Sequence, residues 1–195
     1  MLAAIPAVFL EIGTFGEFNK LNFSPIVITI LNVFLGVALV EELLKYLVVK
    51  EKVLNSPEFD EPIDAMLYMI IAALGFAALE NILILFPLGP AFLAKEAISI
   101  SLLRFLGATF LHTLASGTVG YFLALSFFEA KKRMKLVALG LGISTLLHGL
   151  YNFSIMEIEG DLRLIIPGII LIGLAIFVSW GFRRLKKIAS VCKIH

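Results

Sequence analysis

Long apolar runs separated by short polar stretches set the pattern of this chain. A bilayer core of about 30 Å needs roughly 20 apolar residues in helix. Five runs reach that length: about Pro25–Val49, Ile63–Phe86, Ala97–Phe128, Leu136–Met156 and Leu164–Phe182. A sixth, Met1–Phe15, is short and interrupted by Glu11, so it reads equally as a full crossing, an interfacial helix or the remnant of a longer span. No period of 20–50 residues and no inverted repeat is visible. The longest interruption, Asn55–Pro62, is acidic and proline-bounded, which predicts a surface turn between helices. The expected fold is all-α, a polytopic transmembrane helical bundle forming a single integral membrane domain over residues 1–195.

Composition supports the pattern. Hydrophobic residues make up 60% of the chain and the mean hydropathy is +1.01, more apolar surface than a soluble domain of this length can hide. The near balance of 16 Lys and Arg against 15 Asp and Glu gives no reason to expect nucleic acid. Their distribution is more informative. One side of the membrane collects Lys50, Lys52, Lys131, Lys132, Arg133, Lys135, Arg183, Arg184, Lys186, Lys187 and Lys193, whereas the other holds Lys20, Lys95 and Arg163. The positive-inside rule then predicts a multi-pass protein of the cell membrane with a cytoplasmic C-terminus. A single cysteine, Cys192, excludes an intramolecular disulfide or a cysteine metal cluster. Met1–Leu10 lacks a basic n-region and is not expected to be a cleaved signal peptide.

Seven ionisable residues interrupt the apolar spans: Glu41, Glu42, Lys45, Glu80, Arg104, His112 and His148. A charge at mid-bilayer costs about 2.5–3.5 kcal/mol on insertion scales, so such residues face a protein interior and mark functional sites. Helical spacing places Lys45 at i+4 from Glu41 and i+3 from Glu42, so one ammonium can serve both acids. A helix end leaving the membrane is the plainer alternative. Against it, Tyr46–Val49 continue the apolar run to Lys50, the natural interface marker. Glu80 and Asn81 follow the small-residue stretch Gly75–Ala78, and a purely structural pairing of Glu80 with Arg104 is an open alternative. Arg104 and His112 share roughly one helix face, followed by Ser116, Gly117 and Gly120 as a packing surface. His148 and Asn152 fall one turn apart and can present an imidazole and an amide together.

Taken together, Glu41-Glu-Leu-Leu-Lys45, Gly75-Phe-Ala-Ala-Leu-Glu-Asn81, Leu111-His112 and His148-Gly-Leu-Tyr-Asn152 resemble the four motifs of the PrsW family of intramembrane proteases. Asp64 and Arg104 also match positions where that family carries Asp and Arg, and the resemblance spans residues 41–152. The family is related to the type II CAAX prenyl-endopeptidases and to the APH-1-like scaffold of γ-secretase. CAAX proteases show Glu-Glu-x-x-x-Arg and Phe-x-x-x-His. This chain has Lys45 one position earlier and Glu80 in the second motif, which favours PrsW. The resemblance implies an endopeptidase acting on a transmembrane protein substrate within the lipid bilayer. It implies Glu41, Glu42, His112, His148 and Asn152 as catalytic residues, with Lys45, Asp64, Glu80, Asn81 and Arg104 in support.

Peptide hydrolysis needs a water, a base, a stabiliser for the oxyanion and an acid for the leaving amine. Glu41, Glu42 and Glu80 against Lys45 and Arg104 leave one net negative charge. A protonated glutamate can cancel it, or a divalent metal can exceed it. Ligand chemistry leans toward Zn²⁺, held by His112, His148 and either Glu41 or Glu80, with Glu42 as the base. The metal-free version makes Glu41 or Glu42 the base, and His148 with Asn152 holds the oxyanion. Straight upright helices leave a gap of roughly 10–15 Å between Glu41–Glu42 and Glu80 along the membrane normal. Two other classes stay open: a non-catalytic scaffold, and a proton- or ion-coupled transporter, for which buried Glu, His and Arg serve equally well.

Overall fold

A computed structural model describes residues 3–85 and 105–188. Arg104, Cys192 and the first part of the Ala97–Phe128 span lie outside the described residues. The described chain is helical, without a strand: α1 is Ala4–Phe18, α2 Pro25–Lys52, α3 Pro62–Leu85, α4 Ala108–Phe128, α5 Arg133–Glu157 and α6 Leu162–Leu185. Helices α2 to α6 are each long and apolar enough to cross a membrane, and the protein is a multi-pass helical membrane bundle. Helix α1, as described, has 15 residues and about 22 Å of rise, less than a bilayer core. Its alanine face (Ala3, Ala4, Ala7) packs instead against Phe76, with Val40 and Leu44 beside it.

Local chemistry accounts for the boundaries. Pro25 and Pro62 open α2 and α3, where a missing N–H costs nothing. In the first turn of α3, the Asp64 carboxylate accepts hydrogen bonds from the backbone N–H groups of Asp60 and Glu61 at 3.1 and 2.8 Å. Gly160, at φ 69°, makes the turn between α5 and α6 in a conformation that side chains disfavour.

Helix α4 is the central post. Of its most apolar window 72% is buried inside the protein, against 22–39% for the other spans, which turn most of their surface to lipid. Close approach makes this possible. A Cβ on Gly120 would lie 2.6 Å from the Met66 Cα and 2.7 Å from the Ala65 carbonyl oxygen, so α3 and α4 meet backbone to backbone. Ser144 ties α5 to α4 by donating to the Ala115 carbonyl at 2.7 Å.

Helix α2 is not a uniform α-helix. Leu31–Leu39 is wound as a π-helix immediately before Glu41 and Glu42. The wider i→i+5 winding changes the angular phase of everything that follows, a feature that recurs at functional sites. Phe34 in this segment packs onto α5 so tightly that a Cβ on Gly149 would meet its ring at 2.5 Å. The glycine beside His148 thus lets the π segment seat against α5.

Candidate active site

Four membrane helices deliver the polar residues to one place. Glu41, Glu42 and Lys45 come from α2, Glu80 from α3, His112 and Ser116 from α4, and His148 and Asn152 from α5. The lengthwise gap expected for straight helices does not arise. His112 Nε2 lies 2.9 Å from Glu80 Oε2, and Lys45 Nζ reaches both acids of α2 as well as His112. The π winding of α2 and the length of the Glu and Lys side chains bridge distances that a count of helical rise leaves open.

The inner layer is wholly buried. Lys45 Nζ donates to Glu42 Oε1 at 2.9 Å, to Glu41 Oε2 at 3.2 Å and to His112 Nδ1 at 2.7 Å, with the Phe76 ring centroid 4.3 Å away. Glu42 is bonded on both oxygens: His148 Nδ1–H donates to Oε1 at 3.1 Å and Ser116 Oγ–H to Oε2 at 2.8 Å. Because an ammonium faces His112 Nδ1, that nitrogen is the acceptor, so Nε2 carries the proton and donates to Glu80. The two imidazoles meet edge to face, centroids 5.0 Å apart.

A cavity of about 310 Å³ opens onto this layer. Glu41, Glu80, His112, His148 and Asn152 lie on its wall with the apolar Val37, Leu111, Ile155 and Met156. Glu42 and Lys45 are not on the wall, and both side chains are 0% exposed. Glu80 is 25% exposed and Glu41 5%. The carboxylates thus divide into two that face the cavity and one locked behind it.

Donor atoms of Glu41, Glu42, His112 and His148 all lie within 4.8 Å of one another. Two imidazoles and two carboxylates, all buried, make a donor set that suits zinc or another borderline divalent ion.

The remaining expected residues sit around this core. Asn81 donates to Thr109 Oγ1 at 3.3 Å and so joins α3 to α4 beside the site. Asp64 caps the start of α3 as described and is not on the cavity wall. The sequence reading gives three contributors no site role. Ser116 looks like a packing residue but bonds Glu42; Tyr151 lines the cavity; Phe76 lies under Lys45 and His112. Phe76 stands one turn before Glu80 and Tyr151 directly before Asn152, so helical spacing carried that signal. Glu11 on α1 is a fourth: burial first, then the charges of Glu41 and Glu80, push its carboxyl up to about 7.

Comparison with known proteins agrees with this geometry. The family model described as PrsW family intramembrane metalloprotease matches residues 1–181. Protease PrsW of Bacillus subtilis (strain 168) is 32% identical over 160 residues, 81% of this chain and 67% of the relative. Protease PrsW of Oceanobacillus iheyensis is 29% identical over 171 residues, 88% of this chain and 73% of the relative. The corresponding protein of Geobacillus kaustophilus is 34% identical over 126 residues, 65% of this chain and 52% of its own length. No solved structure matches this chain. With the family model covering nearly the whole sequence and buried glutamates and histidines gathered from four membrane helices, the chain belongs to the PrsW family of intramembrane metalloproteases.

Proposed function

We propose that this protein hydrolyses a peptide bond of a transmembrane protein substrate, using a water activated at the wall of the 310 Å³ cavity. The observation that carries this reading is the two-layer arrangement. Catalytic donors and acceptors face the cavity, and a buried layer of Lys45 and Glu42 holds Glu41, His112 and His148 in orientation. A cavity of that size has room for on the order of ten waters, or for a short unwound stretch of substrate.

His148, one wall carboxylate and His112, once its Nε2 proton is released, would hold a divalent ion, most simply Zn²⁺, by analogy with two-His, one-Glu hydrolytic sites. When bound, such an ion supplies a Lewis acid that polarises the scissile carbonyl and acidifies the attacking water. Of Glu41 and Glu80, one completes the ligand set and the other takes the proton from water, then returns it to the leaving amine. Glu42 is the orienting partner of His148: its bond to Nδ1–H leaves Nε2 turned toward Glu41, 3.9 Å away. This moves the base from Glu42, its position in the metal-bound reading of the sequence, to a carboxylate the cavity can reach. Asn152, one turn beyond His148 on the same wall, would donate its amide to the developing oxyanion. Apolar neighbours such as Val37 and Ile155 exclude bulk water and accept the side chains of a membrane segment.

The basic loops orient the bundle with its C-terminus in the cytoplasm. In that orientation Lys50, Lys132 and Arg184 share the inner side.

The test is a comparison of new N-termini in membranes of one host expressing wild type or His148→Ala. Wild type should generate N-termini inside or next to transmembrane segments that the variant lacks. Identical sets in the two membranes, with both proteins folded, would reject the protease reading in favour of a scaffold or transporter.

A further inference from the structure

Lys45 occupies the donor set that a metal needs. Its ammonium has three N–H groups and meets three acceptors, Glu41 Oε2, Glu42 Oε1 and His112 Nδ1. Those acceptors belong to three of the four residues whose donor atoms cluster within 4.8 Å. The His112 contact is the most restrictive. Nδ1 has one in-plane lone pair, and at 2.7 Å from an ammonium that pair is taken. The opposite edge of the ring, Nε2, points to Glu80 on the cavity wall. His148 is held the same way round, with Nδ1 bound to the buried Glu42. Both histidines therefore have Nδ1 fastened from behind, one by a cation and one by an anion.

We infer that Lys45 is a built-in cation of the metal site: it holds His112 as the Nε2–H tautomer, so the ring offers no free lone pair until that proton leaves, and its charge holds down the affinity of the acidic cluster for divalent metal. The inference deepens the metal-dependent reading above and rests on it. A lysine that merely filled space would behave differently on removal. Loss of a packing and hydrogen-bonding residue loosens the ligands and weakens metal binding. Loss of a repelling charge, in a cluster that keeps its carboxylates, strengthens it. At the effective dielectric of buried sites, one unit charge at contact distance from the donors moves a divalent-ion equilibrium by more than about tenfold. Lys45 also accounts for the cluster's stability without metal. Two adjacent buried carboxylates share a fully bonded ammonium instead of repelling across an apolar interior. The site is thus assembled before an ion arrives, with Lys45 neutralising what the ion would otherwise neutralise.

The experiment is competition of detergent-purified protein against a chromophoric chelator, read with Zn²⁺ and with the visible absorption of Co²⁺. Wild type, Lys45→Met and Lys20→Met are compared; Lys20 is an exposed lysine paired with Glu17 and remote from the cluster. The inference expects Lys45→Met to bind at least about tenfold more tightly than wild type, and Lys20→Met to match wild type. Unchanged or weaker binding by a folded Lys45→Met overturns it while leaving a metal-binding wild type, and hence the metal reading, intact. Absence of metal from both proteins overturns both. If Lys45→Met is recovered only as aggregate, extraction in the presence of zinc decides the matter. The inference expects a divalent ion to replace the missing charge and restore a monodisperse protein; failure of zinc to do so overturns it.

Discussion

Glu42 Oε1 accepts a hydrogen bond from His148 Nδ1–H at 3.1 Å across 106 residues of sequence, with His148 on the cavity wall and Glu42 behind it. One carboxylate thereby orients an imidazole, anchors Lys45 and receives Ser116, three relationships from three helices. Its value to the protein lies in what it holds still.

That predicts a graded response at position 42. Glu42→Gln keeps the side-chain shape and one acceptor oxygen, whereas Glu42→Ala leaves Lys45 buried without its nearest carboxylate. Breaking a buried pair by removing one partner costs about 3–5 kcal/mol. Thermal unfolding in detergent should show a large loss for Ala and a clearly smaller one for Gln. Cleavage should be lost in Ala, because His148 is no longer held in one orientation, and fall less in Gln, which keeps an acceptor for Nδ1–H. Robust cleavage by Glu42→Ala would end the orienting role.

Glu41 and Glu80 are separable by a paired measurement. Whichever carboxylate is the ligand should lose bound metal on replacement by Gln. Whichever is the base should keep metal and lose cleavage by at least about a hundredfold, the lower end of a general base's contribution. Elemental analysis beside a cleavage assay sorts the two. Activity retained in both single variants would remove the wall carboxylates from the chemistry.

Packing gives an independent check on the frame. Gly120→Ala would drive a methyl group onto the Met66 backbone, 2.6 Å away, where no side chain can swing aside. Overpacking of this kind costs about 1–3 kcal/mol. Gly142→Ala, on α5 with nothing within 4 Å, should be neutral or slightly stabilising through helix propensity. Comparing the two unfolding temperatures tests the close crossing of α3 and α4.

Glu11 predicts a pH dependence of stability. Its carboxyl is raised from 4.5 to about 7, so between those values the folded protein holds a proton that the unfolded chain releases. Stability must then fall as pH rises through that window, with the full penalty present above about 7. Glu11→Gln removes the penalty. Its unfolding temperature should match wild type near about pH 4 and exceed it increasingly toward about pH 8. A constant difference at all pH values would show that Glu11 does not titrate in this range.

The helices and the chemistry were readable at different depths. Ion pairing of Lys45 with both glutamates followed from i+3 and i+4 spacing, since it is settled within one helix. The membrane spans agree with the observed helices to within a few residues for α2, α5 and α6, whose two ends are described, because run length and interface charges determine where a helix leaves lipid. The partition of the three glutamates could not be read this way. Glu41 and Glu42 are adjacent and chemically identical, and which one meets the cavity depends on the π winding of Leu31–Leu39 and on how Phe34 seats against Gly149.

By itself, the sequence determined the class of protein, the set of polar residues and the family, because these depend on hydropathy, local spacing and motif order. Tertiary structure alone decided the layering: Lys45 behind His112, Glu42 behind His148, and Glu41 and Glu80 facing the open space. The physical reason is that a helix position specifies an angle and a height only relative to its own axis. Which neighbour lies at that angle is decided by inter-helix packing, here by glycines that let α3 meet α4 backbone to backbone and the Phe34 ring of α2 seat against α5.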